Sequence, residues 1–216
     1  MDVRDAVAAR RSIRAFTAAP VADDLIVDLL ERASRAPSGG NVQPWRVYLV
    51  GAGAMQRFHA HAEAAALEGP GYEIYPANLW EPHRTSRFNV GEQMYELLGI
   101  GRADKAARFA RVAENFSFFG APAAIFCFVD RRMGPPQWSD LGMFLQTFML
   151  LAQESGLATC AQEAWSMRSQ SVAAFVGAPD SEMLFCGVAI GHADSDAPVN
   201  ALVSDRLATA SWLRVV

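Results

Sequence analysis

The sequence predicts one domain that mixes helices and strands, of the α+β or α/β class, over all 216 residues. Three observations carry this. Short apolar runs rich in strand-forming residues stand at 45–50 (WRVYLV), 122–130 (PAAIFCFVD) and 182–191 (EMLFCGVAIG). Segments with helical spacing of apolar residues separate them. Hydrophobic residues make up 51% of the chain, enough for a sizeable core.

The elements follow in order. Residues 2–10 read as a first helix. A second starts after Pro20, with Asp23 and Asp24 in its first turn and Leu25, Ile26, Leu29, Leu30 and Ala33 on one face. It stops before Pro37, because proline disfavours helical geometry in the residue preceding it. A third helix is expected at 55–67, then an aromatic- and proline-rich excursion at 68–87, then helical segments at 91–98 and 103–114. Residues 69–114 as a whole read as a lid-like helical excursion from the domain, since long loops in compact domains are often lids. Residues 139–156 form a nearly all-apolar helix, expected to be central and buried. Residues 169–176 form another, and the tail segment ASWLRVV offers a further strand.

Charge and composition exclude several classes. A net charge of −4 argues against nucleic acid or an anionic membrane as partner. No apolar run reaches the ~18 residues that span a bilayer, and the first residues lack the apolar core of a signal peptide. The default expectation is a soluble cytoplasmic protein. Three scattered cysteines do not read as a disulfide framework. His59 and His61 point apart on a helix, so no metal site is expected. GAGAMQ at 51–56 mimics a dinucleotide fingerprint but has Gln56 where the third glycine belongs.

Against that acidic background, RRSIRAF at 10–16 places Arg10, Arg11 and Arg14 within five positions, with Ser12 among them. Guanidinium forks match phosphate oxygens bidentately. The same cluster also suits a solvated basic end of a helix. RAPSGGNVQPW at 35–45 is a small-residue turn that lets backbone approach a flat ligand, or an ordinary connection between helix and strand. Asn41 and Gln43 there carry amides able to read a heterocycle edge. TCAQEAW at 159–165 offers Gln162 and Glu163 at the edge of the core, or a plain interhelical loop.

Taken together, RRSIRAF, RAPSGGNVQPW, NFSFFGAP at 115–122, GLATCAQEAW at 156–165 and GVAIGHAD at 187–194 resemble the FMN-dependent nitroreductase family, in its order and over nearly the whole chain. The resemblance implies an α+β fold with a central, mostly antiparallel sheet flanked by helices, and a homodimer holding FMN at its interface. It implies a C-terminal tail that reaches the partner subunit. Arg10 and Ser12, with Arg11 nearby and Arg206 from the tail, would hold the FMN phosphate. Arg14 would face the ribityl chain or pyrimidine edge, and Asn115 the pyrimidine edge. Pro37, Ser38 and Gly39, with Arg35 and Asn41, would come from the second subunit. The backbone N–H of Glu163 would face flavin N5, with Gln162 a further cofactor contact. The chemistry implied is ping-pong hydride transfer from NAD(P)H through FMN to a nitroaromatic or quinone, with no catalytic side chain required. Other chemistry on the same scaffold (flavin fragmentation, dehalogenation, enone reduction) and a redox-slow flavin-binding module are the alternatives. Tyr75, Trp80, Phe118 and Phe119 are candidate contacts for a flat aromatic acceptor, or seals of the dimer interface. Ala161 and Ala164 stand where the N5 loop often carries proline and glycine.

Overall fold

The computed structural model describes residues 1–66 and 68–216. Four strands form one antiparallel sheet in the order β1-β2-β4-β3: β1 is Arg46–Val50, β2 Ala123–Asp130, β3 Ala158–Gln162 and β4 Glu182–Gly191. Among the described residues the α-helices are α1 (Val3–Ala9), α2 (Asp23–Ala33), α3 (Ala52–Ala64), α4 (His83–Leu97), α5 (Lys105–Ala113), α6 (Pro135–Glu154) and α7 (Ser169–Val176). The architecture is α+β. β1 leads through α3 to an antiparallel strand, so GAGAMQ does not open a parallel βαβ unit.

Side chains alternate across a strand, so β2 serves two cores at once. Ile125, Cys127 and Val129 face α2 and α6, packed with Ile26, Leu29, Leu141, Phe144 and Phe148. Ala124, Phe126 and Phe128 face the other layer, packed with Phe58, Phe118, Trp165 and Val172. Burial on both faces explains why β2 and β4 read as unbroken apolar runs. A bulge between Cys127 and Phe128 pairs these with Cys186 and Leu184, leaving Phe185 unpaired. The Phe185 carbonyl accepts the Tyr72 hydroxyl at 2.5 Å, which fastens the start of the 69–114 excursion to the sheet.

Four expectations are corrected. The fourth strand is β3, not the tail, whose segment holds only a short 3-10 turn at Thr209–Ser211. β3 lay hidden because ATCAQ mixes small and polar residues; it forms by pairing with β4 and not by local propensity. α6 starts at Pro135, since proline fits the first helical turn, and only the stripe of Leu141, Phe144, Leu145, Phe148 and Ala152 is fully buried with Asp140. Its opposite side, with Gly142, Met143 and Gln146, is exposed in the single chain. α4 starts at His83, earlier than expected, and no residue of it is buried. The third helix ends at Ala64; Leu67, expected to close it, lies outside the described residues.

Gly187 of β4 sits where the second core is tightest. A Cβ there would lie 2.6 Å from Trp165 Cδ1 and 3.1 Å from Phe126 Cε1. Phe58, Phe118, Phe126 and Trp165 pack with ring centroids 4.6–5.7 Å apart, so nothing can yield. Gly187→Ala is expected to lower stability by about 1–3 kcal/mol. Urea unfolding checks this as a reduced midpoint with an unchanged slope.

Candidate active site

α1 ends at Ala9, and the chain leaves it in extended conformation at Arg10. Residues 12–13 then meet the free edge of β3, and residues 16–17 continue past it to the 3-10 segment at 114–120 and the chain after β4. Ser12 bridges Thr159, and the Ile13 N–H donates to the Thr159 carbonyl at 3.0 Å. Phe16 and Thr17 donate to the carbonyls of Phe119 and His192 at 3.3 and 2.9 Å. Ile13 and Phe16 are buried and pin the segment, while Arg10, Ser12 and Arg14 stay half-buried and Arg11 exposed. A sequence that looks like a basic helix end is an edge segment with two apolar anchors and polar groups turned outward.

Those polar groups line a cavity of about 650 Å³. Arg10, Arg11, Ser12 and Arg14 meet Arg206 and Ser204 of the tail there, with Val90, Leu202 and Gln153 in the wall. Four arginines line it, and no acidic residue does among the described residues. Arg206 is braced through Nη1, which donates to Ser204 Oγ at 2.8 Å and to the carbonyls of Ser204 and Asp205, both at 2.9 Å. Converging cations without counter-charge make a cavity suited to an anion.

A second cavity of about 230 Å³ shares Arg14, Val90 and Leu202 with the first and adds Arg87, Arg111, Asn115 and Phe119. Arg14 therefore stands between the two. Its main chain is held from both sides: Asn200 Oδ1 accepts its N–H at 2.8 Å, and Arg111 Nη2 donates to its carbonyl at 2.9 Å. Asn200 Nδ2 also donates to the carbonyls of Ala15 and Asp194, at 2.8 and 2.9 Å. Neither Asn200 nor Arg111 was flagged by the sequence. Each meets residue 14 from a sequence separation of 186 or 97 residues, and neither carries a local signal of that contact.

Beside this cavity β3 ends at Gln162, whose Nε2 donates to the carbonyl and Oδ1 of Asn115 at 2.9 and 3.1 Å. Gln162 is 3% exposed, and its Oε1 has no partner among the described residues. The chain turns at Glu163 into a 3-10 segment, Glu163–Arg168. Desolvation by its neighbours raises the Glu163 carboxyl above its ordinary pKa, although the residue as a whole is exposed. Burial raises the nearby Tyr72 phenol further, with the Glu163 charge contributing.

Residues 35–41 lie apart from both cavities in the single chain. Arg35, Pro37, Gly39 and Asn41 are exposed, Ser38 is half-buried, and the Gly39 N–H is shared between the Asp140 carboxylate oxygens at 3.3 Å. Tyr75 and Trp80 are 46% and 60% exposed, with the Arg87 guanidinium 4.2 Å over the Tyr75 ring. Phe119 lines the second cavity, but Phe118 lines neither. Phe118 is corrected from a candidate acceptor contact to a core residue. Left-handed φ values of 51° and 57° at Phe118 and Phe119 reverse the chain, and the Phe118 ring is 0% exposed beside Trp165.

Comparison with known proteins assigns the class. The sequence profile of the Nitroreductase family matches residues 7–192, and the chain belongs to that family. It is 36% identical to a nitrobenzene nitroreductase of Ectopseudomonas oleovorans, over 93% of this chain and 90% of the relative. It is 34% identical to a 4-nitrobenzoate reductase of Pseudomonas putida, over 91% and 87%. Among solved structures, the FMN and NADPH-dependent nitroreductase NfnB from sphigopyxis sp. strain HMH superposes with a TM-score of 0.93 at 45% identity, covering 100% of this chain and 99% of that one.

The raised pKa of Glu163 fixes the sign of a pH effect. A carboxyl whose folded pKa lies above its unfolded value costs stability once pH passes the unfolded value, because the native state then resists ionisation. Glu163→Gln is therefore expected to raise the urea midpoint at pH 8, and to confer no advantage at pH 3, where both states hold the proton.

Proposed function

We propose that this chain is an FMN-dependent NAD(P)H oxidoreductase that reduces nitroaromatic or quinone-type acceptors by a ping-pong mechanism. The observation that carries this is the acid-free cavity lined by Arg10, Arg11, Arg14 and Arg206. The residues present fit FMN. Arg10, Arg11, Ser12 and Arg206 supply forked and hydroxyl donors for its phosphate. Arg14, Asn115 and Gln162 supply a cation and amides for the polar edge of its ring, the buried Gln162 Oε1 being an acceptor still in need of a donor. The Glu163 backbone N–H is the donor for N5. When bound, FMN supplies the hydride chemistry, accepting from a reduced nicotinamide and passing on to the acceptor.

The chain's own residues bind, orient and shield. Arg14 places a fixed positive charge where reduced flavin is negative, which favours the reduced state. Val90 and Leu202, common to both cavities, keep the wall between the ends apolar. Tyr75 and Trp80 on the exposed excursion stack a flat acceptor.

A homodimer completes the site. Residues 35–41 of a second copy close the cavity that one chain leaves open, and the tail reaches across to that copy. Support comes from extensive uncovered surface: Val3 and Val7 of α1, Met143 of α6, residues 83–89 of α4, and Leu207, Trp212 and Leu213 of the tail are exposed in the single chain.

Arg10→Ala is expected to weaken FMN binding about ten- to a hundredfold, the loss of a hydrogen bond to a charged group. Fluorescence titration of the apoprotein measures it. An anaerobic spectrum of the wild type should show flavin bands that bleach on addition of NADPH or NADH; a colourless protein that takes up no FMN would refute the assignment. Trp80→Ala should raise the acceptor KM with FMN content intact, whereas loss of the dimer would mark Trp80 as an interface seal.

A further inference from the structure

We propose that Arg111 is a positioning residue for Arg14, the two forming one unit that sets both the affinity for flavin and the bias toward its reduced form. This builds on the FMN assignment above.

Arg111 is 6% exposed, an unusual state for a guanidinium. Nη1 pairs with Glu114, Nη2 donates to the Arg14 carbonyl at 2.9 Å, and the guanidinium carbon lies 5.0 Å over the Phe119 ring. Nε is buried with no partner among the described residues. Drying a guanidinium while leaving a donor unmet costs several kcal/mol, and a pairing with the half-exposed Glu114 offsets only part of that. An apolar side chain would join α5 to residue 14 at less cost. What an apolar residue lacks is the fork that fixes the Arg14 carbonyl and the charge behind it.

The two cations also oppose each other. Burial lowers the pKa of Arg111; Glu114 works against this, and the neighbouring Arg14 charge lowers it again. Like charges held together in a partly dry wall gain most from an anionic or electron-rich group laid against them. Asn200 takes the Arg14 N–H while Arg111 takes the carbonyl, so the backbone at residue 14 cannot rotate. The Arg14 side chain, curled onto the Ser12 carbonyl at 3.2 Å, is aimed by that fixed backbone. Removing Arg111 releases the carbonyl, and the consequence reaches the ligand through Arg14.

The test compares wild type, Arg111→Met, Arg14→Met, the double variant and Arg111→Lys, all as full-length protein reconstituted with FMN. FMN affinity, the two-electron midpoint potential of the bound flavin and apoprotein thermal stability are measured. Arg111→Met should loosen FMN about tenfold and shift the potential to more negative values, as Arg14→Met does. The double variant should be no worse than Arg14→Met alone, because one residue acts through the other. Arg111→Lys should loosen FMN and move the potential in the same direction, since lysine keeps a charge but loses the fork that fixes the Arg14 carbonyl. Additive effects, or Arg111→Met with lowered thermal stability and a wild-type potential, would overturn the inference. If Arg111→Met fails to fold, Arg111→Lys decides alone: wild-type FMN affinity overturns it. Wild type that binds no FMN overturns the functional assignment itself and this inference with it.

Discussion

The site depends on the attachment of residues 12–17 to the border of the sheet, at β3 through Ser12 and Ile13 and beyond β4 through Phe16 and Thr17. One backbone bond from Ile13 to Thr159, and the burial of Ile13 and Phe16, hold an arginine-rich segment at the border of the core. Arginines on a free helix end would be solvated, mobile and screened. Anchored by Ile13 and Phe16, they converge on one cavity with the tail's Arg206. The attachment also covers an otherwise open sheet edge, which folded proteins rarely leave bare.

The second consequence of that attachment is depth. Because the segment is seated on β3, Arg14 lies near Cys160 and lines the second cavity with Asn115, which Gln162 meets from the end of the strand. Polar groups of three separate segments are thereby gathered at one end of the sheet. The burial of Arg111 and Asn200 behind them is a cost in folding energy. It is repaid as rigidity of the Arg14 backbone, the geometric requirement for holding charge at a fixed distance from a ligand.

The remaining features follow from a sheet buried on both faces. Two layers of helices leave little room for a ligand within the chain, so both cavities lie at its border, between the edge segment, α4 and the tail. The excursion fastened at Tyr72 runs beside that border, with residues 83–89 of α4 exposed and Val90 in the cavity wall. A solved nitroreductase with a TM-score of 0.93 has the same architecture.

The sequence by itself determined that helices and strands mix in one domain, the three strands with continuous apolar runs, and the crowding of Arg10, Arg11, Ser12 and Arg14 into one short stretch, because these are encoded locally in composition and period. Its motif order also pointed to the family. Only tertiary structure decided which weak segment became the fourth strand: ATCAQ carries no strong propensity and is a strand because β4 lies beside it. Tertiary structure also turned Phe118 into the core. It brought Arg206 to Arg10 from the far end of the chain and recruited Arg111 and Asn200 to residue 14. Contacts between such distant positions leave no trace in local spacing, since what creates them is the closing of the chain upon itself.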